Sequence, residues 1–390
     1  MSPSLIDRSS DLKRLRDEGY AIEIKASHLL VHDVPYLDNQ GRVQIGTLVA
    51  PLSLTGGIAA PPSSHVMHFI GQDPCSADGR PIEAIKHVVR NQTLGSGIIV
   101  NRSFSNKPQG GYKDNYQKFT TYANILSHQA MEVDPSVTAR TYRLIRPEEE
   151  EGPFCYADTN SSRNGTFVLF EKFQDQRIGI VGLGGTGAYI LDSVAKTPVA
   201  QIHLFDDDEF NAHNAFRIPG AVSLEQVNEK IKKVDLLGRS YGQLHRSIHT
   251  HQCRITPTSL SMLEGLTFVF IAIDNGKYKQ VIFDYLIESN IPFVDVGMGI
   301  HWNPTRNRLM GAVRATLGDP ENFQHLNEVV SFGDAKDNLY ADNIQIAELN
   351  SLNASLAVIK WKLYLGVYQS DGLTYHTIFN VDDTNTFNEY

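Results

Sequence analysis

The chain has 390 residues, of which 41% are hydrophobic and 20% charged, and a formal net charge of −9. This composition is ordinary for a globular protein and leaves room for two hydrophobic cores. The acidic balance argues against nucleic acid as the main partner, and no apolar run is long enough to cross a membrane. Three cysteines without a C-x-x-C pair indicate a reducing, cytoplasmic compartment.

Residues 1–150 are predicted to form an α+β domain. Apolar, alternating runs predict strands at 20–26, 28–34, 43–49, 65–71 and 97–104. Helices are predicted after Ser10, over 82–89 and over 116–131. Periodicity does not identify the role of this domain, and we expect it to recognise a partner or a substrate.

An acidic segment marks the boundary between two domains. The stretch RPEEEEGP at 146–153 places four consecutive glutamates between two prolines. Like charges in a row repel one another and do not pack into a core. We therefore predict that a second domain covers residues 151–390.

Strand and helix patterns alternate through the second domain. Strands are predicted at 178–181, 201–205, 249–255, 267–273 and 291–297, with an antiparallel addition at 309–316. Helices are predicted after the first strand, from the capping-box sequence at 223–226 toward Leu237, over 278–289 and over 344–364. The last helix has apolar residues at helical spacing, namely Ala347, Leu352, Leu356, Ile359 and Leu363. The alternation predicts a doubly wound, Rossmann-like α/β sheet that binds ligands at the carboxyl ends of its strands.

The first strand of this domain ends in a glycine-rich turn, GLGGTG. Its glycines, which permit a tight turn and close approach to a phosphate, are Gly182, Gly184, Gly185 and Gly187. The N-terminus of the following helix favours an anion. Asp206 ends the next strand, where a carboxylate reaches the ribose of a bound nucleotide. The pattern predicts a nucleotide site, but a dehydrogenase that uses NAD(P) would meet it equally well.

Cationic residues after the second strand favour a triphosphate over a dinucleotide. Arg217 lies eleven residues after Asp206, and three lysines follow at 230, 232 and 233. Asp274 ends a further apolar strand. Arginine and lysine neutralise phosphate charge, and a carboxylate holds Mg²⁺, so this set is what a Mg²⁺-bound triphosphate requires.

In order, these motifs resemble the ThiF/HesA/MoeB family of adenylyltransferases, to which ubiquitin-activating enzymes are related. The matching stretches are GLGGTG, DDDEFNAHNAFR (206–217), KVD (233–235) and IAIDN (271–275). The resemblance covers roughly residues 160 to 365. It implies a ThiF-type adenylation domain with ATP and Mg²⁺ as cofactors. By position, residues 1–150 resemble an uncharacterised domain that precedes ThiF-like domains in some bacterial proteins.

The resemblance implies a role for each motif residue. Asp206 binds ribose, Asn214 and Arg217 contact phosphates, Lys233 stabilises the leaving pyrophosphate, and Asp274 holds Mg²⁺. Further nucleotide contacts are implied for the loop glycines, Asp208 and Asn275, and Arg163 stands in for an arginine that relatives carry before the first strand. Which of the lysines at 230, 232 and 233 meets the phosphates stays open.

The chain departs from the family pattern in ways that bear on the chemistry. Ile218 replaces the usual glutamine, no paired C-x-x-C zinc sites follow, and no cysteine lies after Cys253. We interpret Cys253 as a buried strand residue, Cys75 as the more accessible thiol, and Ser331 as the alternative acceptor of an acyl group. The chemistry is therefore expected to stop at the adenylate or to proceed without a cysteine of this chain.

The hypothesis from sequence is an enzyme, an ATP-dependent adenylyltransferase that activates a carboxylate. The carboxylate is expected to be the C-terminal glycine of a ubiquitin-like or sulfur-carrier-like small protein, with a conjugating enzyme as a further partner. Relatives lead us to expect a homodimer. Two alternatives stay open, an NAD(P)-dependent oxidoreductase and a catalytically silent nucleotide-binding scaffold.

Overall fold

The computed structural model describes residues 3–95, 97–145, 152–156, 158, 169, 171–274, 276–330 and 344–389. The chain divides into two compact units, Met1–Gly152 with Tyr156–Phe167 and Pro153–Cys155 with Val168–Tyr390. Within the described ranges, every helix is too short or too polar to cross a bilayer.

The N-terminal unit is an antiparallel sheet with helices against one face. Its elements are α1 (Pro3–Arg8), α2 (Ser10–Asp17), β1 (Ala21–Lys25), β2 (His28–Leu37), β3 (Val43–Pro51), β4 (Leu54–Thr55), β5 (Ile58–Ala59), β6 (Val66–Ile70), β7 (Lys86–Gly95), β8 (Ile98–Ser105) and α3 (Asn115–Val133). The main sheet has the order β1-β2-β3-β6-β8-β7, and β4 pairs with β5 separately. Phe119 and Tyr122 of α3 belong to the same buried cluster as Phe69 of the sheet. The predicted α+β class is confirmed.

Two local predictions for the N-terminal unit are wrong. The helix predicted over 82–89 is a turn followed by β7, because Val88 and Val89 suit a strand and pair with β8 in a hairpin. Cys75, predicted to be the accessible thiol, is fully buried and forms backbone bridges to Leu37 and Pro81. Burial raises the pKa of its thiol.

The C-terminal unit contains one long mixed sheet. Its strands are β9 (Arg177–Val181), β10 (Gln201–Phe205), β11 (Ile248–His251), β12 (Phe268–Ile271), β13 (Phe293–Asn303), β14 (Arg308–Gly318), β15 (His376–Asn380) and β16 (Thr386–Glu389). Its helices are α4 (Gly185–Val194), α5 (Ala212–Ala215), α6 (Leu224–Asn228), α7 (Lys233–Tyr241), α8 (Gly276–Glu288), α9 (Leu326–Val329) and α10 (Ala347–Tyr364).

The strand order creates a crevice at the carboxyl ends of β9 and β12. The order is β11-β10-β9-β12-β13-β14-β15-β16, with β9 to β13 parallel and β14 to β16 antiparallel. From β9 the chain moves outward to β10 and β11, then crosses to β12 on the other side. Ligands of doubly wound sheets bind at such a switch point. The predicted doubly wound, Rossmann-like fold is confirmed, as is the antiparallel β14.

Helices cover both faces of this sheet, as its apolar strands require. Leu191 of α4 and Trp361 of α10 pack on one face, and Phe283 of α8 belongs to the cluster on the other. Apolar area removed from water is the main favourable contribution to folding. The two clusters therefore stabilise the sheet from both faces and fix the positions of the strand ends at the crevice.

Three predictions within the C-terminal unit need correction. The capping box at 223–226 is present, but its helix ends at Asn228 and α7 is separate. Strand β11 ends at His251, so Cys253 lies beyond it and is only half-buried. The apolar face predicted for the last helix includes Ile359, which is 44% exposed.

The residues that α10 buries are instead Leu349, Asn350, Asn353, Ala354, Ala357, Val358, Lys360 and Trp361. Small alanines permit close packing against α4. The asparagines contribute hydrogen bonds, which a hydrophobic pattern does not register.

Candidate functional site

The glycine loop between β9 and α4 is built around backbone contacts that exclude side chains. Gly182 has a φ of +90°, and a Cβ there would lie 2.5 Å from the carbonyl oxygen of Ala272. A Cβ at Gly187 would collide with the carbonyl oxygen of Gly182. By contrast, no described atom lies within 4 Å of the Cβ position of Gly184. The loop is therefore closed toward the sheet and open at the N-terminus of α4, which is where a phosphate would bind.

Asn350 of α10 supports this loop from behind. Its side chain is fully buried, its Oδ1 accepts a hydrogen bond of 2.8 Å from the hydroxyl of Thr186, and a Cβ at Gly185 would collide with it. Sequence reasoning missed this residue. The only available signal was a pair of asparagines one helical turn apart, Asn350 and Asn353, in a helix that buries mostly apolar residues.

Asp206 lies where the sequence predicts, directly after β10, and it links two loops. Its Oδ2 accepts from the backbone N–H of Leu183 at 2.7 Å, and its Oδ1 accepts from the N–H of Asp208 at 2.9 Å. The carboxylate is thus oriented beside the glycine loop.

Lys233 is the lysine whose ammonium is buried at this edge. Its Nζ lies 2.6 Å from Asp208 Oδ2 and 3.6 Å from Asp206 Oδ1. This contact holds the pKa of the Asp208 carboxyl below its usual range. Lys232 instead donates to the carbonyl oxygen of Asp207, and Lys230 is exposed with a φ of +50°.

Asn214 and Arg217 follow the acidic run, on and just after the short helix α5. Asn214 is buried, and its Oδ1 accepts from the backbone N–H of Asn211 in a capping box, so that oxygen is engaged in capping α5. Arg217 is half-buried, and its Nε is buried without a hydrogen-bond partner among the described residues. Burial lowers the pKa of Arg217, whereas the nearby charge of Asp274 raises it.

Asp274 is exposed in the connection between β12 and α8, at the switch point. Its charge raises the pKa of Arg217, so two predicted site residues that are 57 positions apart in the sequence interact electrostatically. Arg163, Asn275 and Ser331 lie outside the described residues.

The acidic run, Asp206 to Asp208, offers a second set of oxygen ligands for a cation. Carboxylate oxygens of Asp206, Asp207 and Asp208 lie within 4.8 Å of one another. Lys233 and Arg254 pair with this set, Arg254 at 3.1 Å from Asp207. Because Lys233 and Arg254 already pair with carboxylates of this run, Asp274 is the better candidate to hold Mg²⁺.

Two family models match separate parts of the chain. Residues 162–322 match the ThiF family, and residues 10–159 match a domain described as of unknown function, DUF6791. Two curated relatives are both tRNA threonylcarbamoyladenosine dehydratase. The Escherichia coli protein is 27% identical over 160 residues, and the Haemophilus influenzae protein 23% over 159. Each alignment covers 38% of this chain, and the chain spans 56% and 58% of the two relatives, about half their length.

Solved structures of similar proteins include E. coli MccB with ATP, at a TM-score of 0.47 and 15% identity, covering 73% of this chain and 79% of that one. Another is E. coli tRNA N6-threonylcarbamoyladenosine dehydratase, TcdA, at a TM-score of 0.41 and 20% identity, covering 54% of this chain and 93% of that one.

Proposed function

We propose that this chain, which carries a ThiF-family domain at residues 162–322, is an ATP-dependent adenylyltransferase that activates a carboxylate. One observation supports this most strongly. The Nε of Arg217 is buried without a hydrogen-bond partner among the described residues, and the charge of Asp274, at the strand end beside the open N-terminus of α4, acts on this guanidinium. A buried donor without a partner costs about 1–3 kcal/mol, and a bound phosphate oxygen would recover it.

The residues at this edge suit attack of a carboxylate on the α-phosphorus of ATP. A carboxylate needs little activation, so the barrier comes from charge on the phosphorus and on the departing pyrophosphate. Asp206 would accept hydrogen bonds from the ribose hydroxyls, and Arg217 would donate hydrogen bonds to phosphate oxygens. Lys233 would exchange its contact with Asp208 for the pyrophosphate. Loss of that contact is inexpensive because the Asp208 side chain is 56% exposed.

Asp274 and the acidic run are carboxylates of the type that Mg²⁺ requires, and Asp274 would hold the ion. When bound, Mg²⁺ neutralises phosphate charge. Contacts from Arg163 and Asn275 remain part of this proposal.

The carboxylate that we propose first is the C-terminal glycine of a ubiquitin-like or sulfur-carrier-like protein. The N-terminal unit would recognise this partner or a conjugating enzyme, in a cytoplasmic homodimer. The names of the curated relatives favour a second candidate, a carboxylate carried by a modified tRNA nucleoside. The net charge of −9 makes that partner the less favourable one, because phosphates dominate affinity for nucleic acid.

The oxidoreductase alternative does not account for Arg217. A dinucleotide has no γ-phosphate whose charge would require an additional cation and a Mg²⁺-binding carboxylate. A catalytically silent scaffold would account for nucleotide binding. It would not account for the buried ammonium of Lys233 beside the nucleotide site. These two alternatives therefore differ from the proposal in turnover and in the preferred nucleotide.

Exchange of labelled pyrophosphate into ATP tests the proposal. The panel contains a small β-grasp protein ending in glycine, the same protein ending in an amide, and tRNA bearing threonylcarbamoyladenosine. We expect exchange with the free carboxylate and none with the amide. Arg217→Ala and Asp274→Ala should each lower exchange about 100-fold or more.

Asp284→Ala is the matched control, because Asp284 is an exposed carboxylate on α8 that hydrogen bonds to Gln280. Exchange that persists in Asp274→Ala would contradict the role of Asp274. A protein that binds Mg-ATP and shows no exchange with any member of the panel would favour the scaffold.

A further inference from the structure

Three histidines lie together on one face of the sheet at its β10–β11 edge. His203 of β10 is the register partner of His249 on β11, and His251 lies two residues further along the same strand. Side chains two residues apart in a strand point to the same face, so all three share it. The ring of His203 lies 4.7 Å from that of His249 and 5.3 Å from that of His251, measured between centroids.

The distance between two of the ring nitrogens is that of ligands on one metal. His203 Nδ1 lies 3.1 Å from His251 Nε2, and the two rings are within 7° of parallel. Two nitrogens bound to one tetrahedral Zn²⁺ at about 2.0–2.1 Å lie about 3.3 Å apart. Small movements of the two rings would therefore make room for Zn²⁺ between these nitrogens, in place of the proton of their present hydrogen bond.

The hydrogen bond on the far side of His203 fixes its tautomer in the form that binds metal. Its Nε2 lies 3.2 Å from the side-chain oxygen of Gln201, which only accepts, so the proton is on Nε2 and the lone pair on Nδ1. A ligating histidine commonly donates its other N–H to a carbonyl or carboxylate in this way, which orients the ring.

We propose that His203, His249 and His251 form a site for a divalent transition metal, with Zn²⁺ as the best fit. Imidazole ligands suit Zn²⁺, and three of them leave a fourth position for water or for a ligand from outside the chain. Two of the ring nitrogens lie close enough for one ion in this structure, and the ring of His249, which is exposed, would have to turn toward them to supply the third. The ion would tie the edge strand β11 to β10, three residues before Asp206, and it is distinct from the Mg²⁺ proposed at Asp274.

The surroundings favour neutral imidazoles. Burial, the two neighbouring histidines and Arg177 lower the pKa of His203 to about 4, so that its ring carries no charge at neutral pH. Phe205, whose ring stacks on His251 at 4.6 Å, limits the movement of that second ring.

Titration of the tag-free, chelator-treated full chain with Zn²⁺ against a chromophoric competitor tests the site. We expect one Zn²⁺ per chain and a higher thermal midpoint with the metal. His203→Ala, His249→Ala and His251→Ala should each weaken binding at least ~10-fold. With Co²⁺ as the probe, the visible bands of tetrahedral nitrogen ligation should appear and should be lost in the same variants.

His301→Ala is the matched control, since His301 is an exposed histidine on β13 of the same unit, and it should bind Zn²⁺ as the unaltered chain does. His249→Ala decides the question if a variant of a more buried histidine misfolds. Absence of stoichiometric binding, or binding in the triple histidine variant within ~2-fold of the unaltered chain, would overturn the proposal.

Discussion

The contact between Asn350 and Thr186 gives a quantitative test of how α10 supports the nucleotide loop. Asn350→Ala removes the acceptor of the Thr186 hydroxyl, and Thr186 is only 8% exposed. A buried group left without its partner costs about 1–3 kcal/mol. Thr186→Val leaves the Asn350 side chain without a partner for its Oδ1, while its Nδ2 already lacks one among the described residues. We expect a similar loss of unfolding free energy.

The double variant should cost less than the sum of the two single variants. Both partners of the hydrogen bond are absent there, so we expect a coupling of about 1 kcal/mol within the usual range of 0.5–3 kcal/mol for contacting residues. Urea unfolding followed by tryptophan fluorescence measures it, because both tryptophans, Trp302 and Trp361, lie in the C-terminal unit. The KM for ATP should rise in each single variant. Additivity within ~0.3 kcal/mol would refute the reasoning.

Three further predictions concern the ligand, pH and the thiols. Mg-ATP should raise the thermal midpoint of the chain by binding only the folded state, and an equal rise with NAD⁺ would point to the oxidoreductase instead. The unfolding free energy of the C-terminal unit should fall from pH 6.5 to 4. Buried His245 and His376 have pKa values of about 4 in the folded unit, whereas unfolded histidines bind protons near 6.5. His376→Gln should lessen this dependence of the unfolding free energy on pH, measured by urea titrations. An unchanged dependence would contradict the contribution of His376. Replacement of all three cysteines by alanine should leave pyrophosphate exchange unchanged; loss of exchange with the fold intact would mean that a thiol is required.

The order of elements in the C-terminal unit was predictable because its buried strands are short apolar runs that end in recognisable turns. Ranges 178–181 and 267–273 read as strands from residue type alone, and the structure has strands there at Arg177–Val181 and Phe268–Ile271. The glycine loop and Asp206 were predictable for the same reason, because each directly follows an apolar strand in the sequence. Local sequence also predicted the antiparallel β14, which in the structure pairs with β13 along its whole length.

Features that depend on contacts between distant segments were not predictable. Val88 and Val89 suit a strand, but the partner that decides between strand and helix is β8, which pairs with them. Asn350 reaches Thr186 across 164 positions. His203 joins the other two histidines only because β10 and β11 pair in that register. In each case the partner, which the local pattern does not contain, decides the conformation or the chemistry.

The fate of a carboxylate oxygen tests the central proposal most directly. We would prepare the small β-grasp protein with ¹⁸O in its C-terminal carboxylate and incubate it with this chain, Mg-ATP and an acceptor amine. Attack on the α-phosphorus followed by acyl transfer must leave one carboxylate oxygen on AMP. The proposal predicts AMP carrying a single ¹⁸O atom together with pyrophosphate. Production of ADP with labelled phosphate, or of AMP without the label, would contradict it.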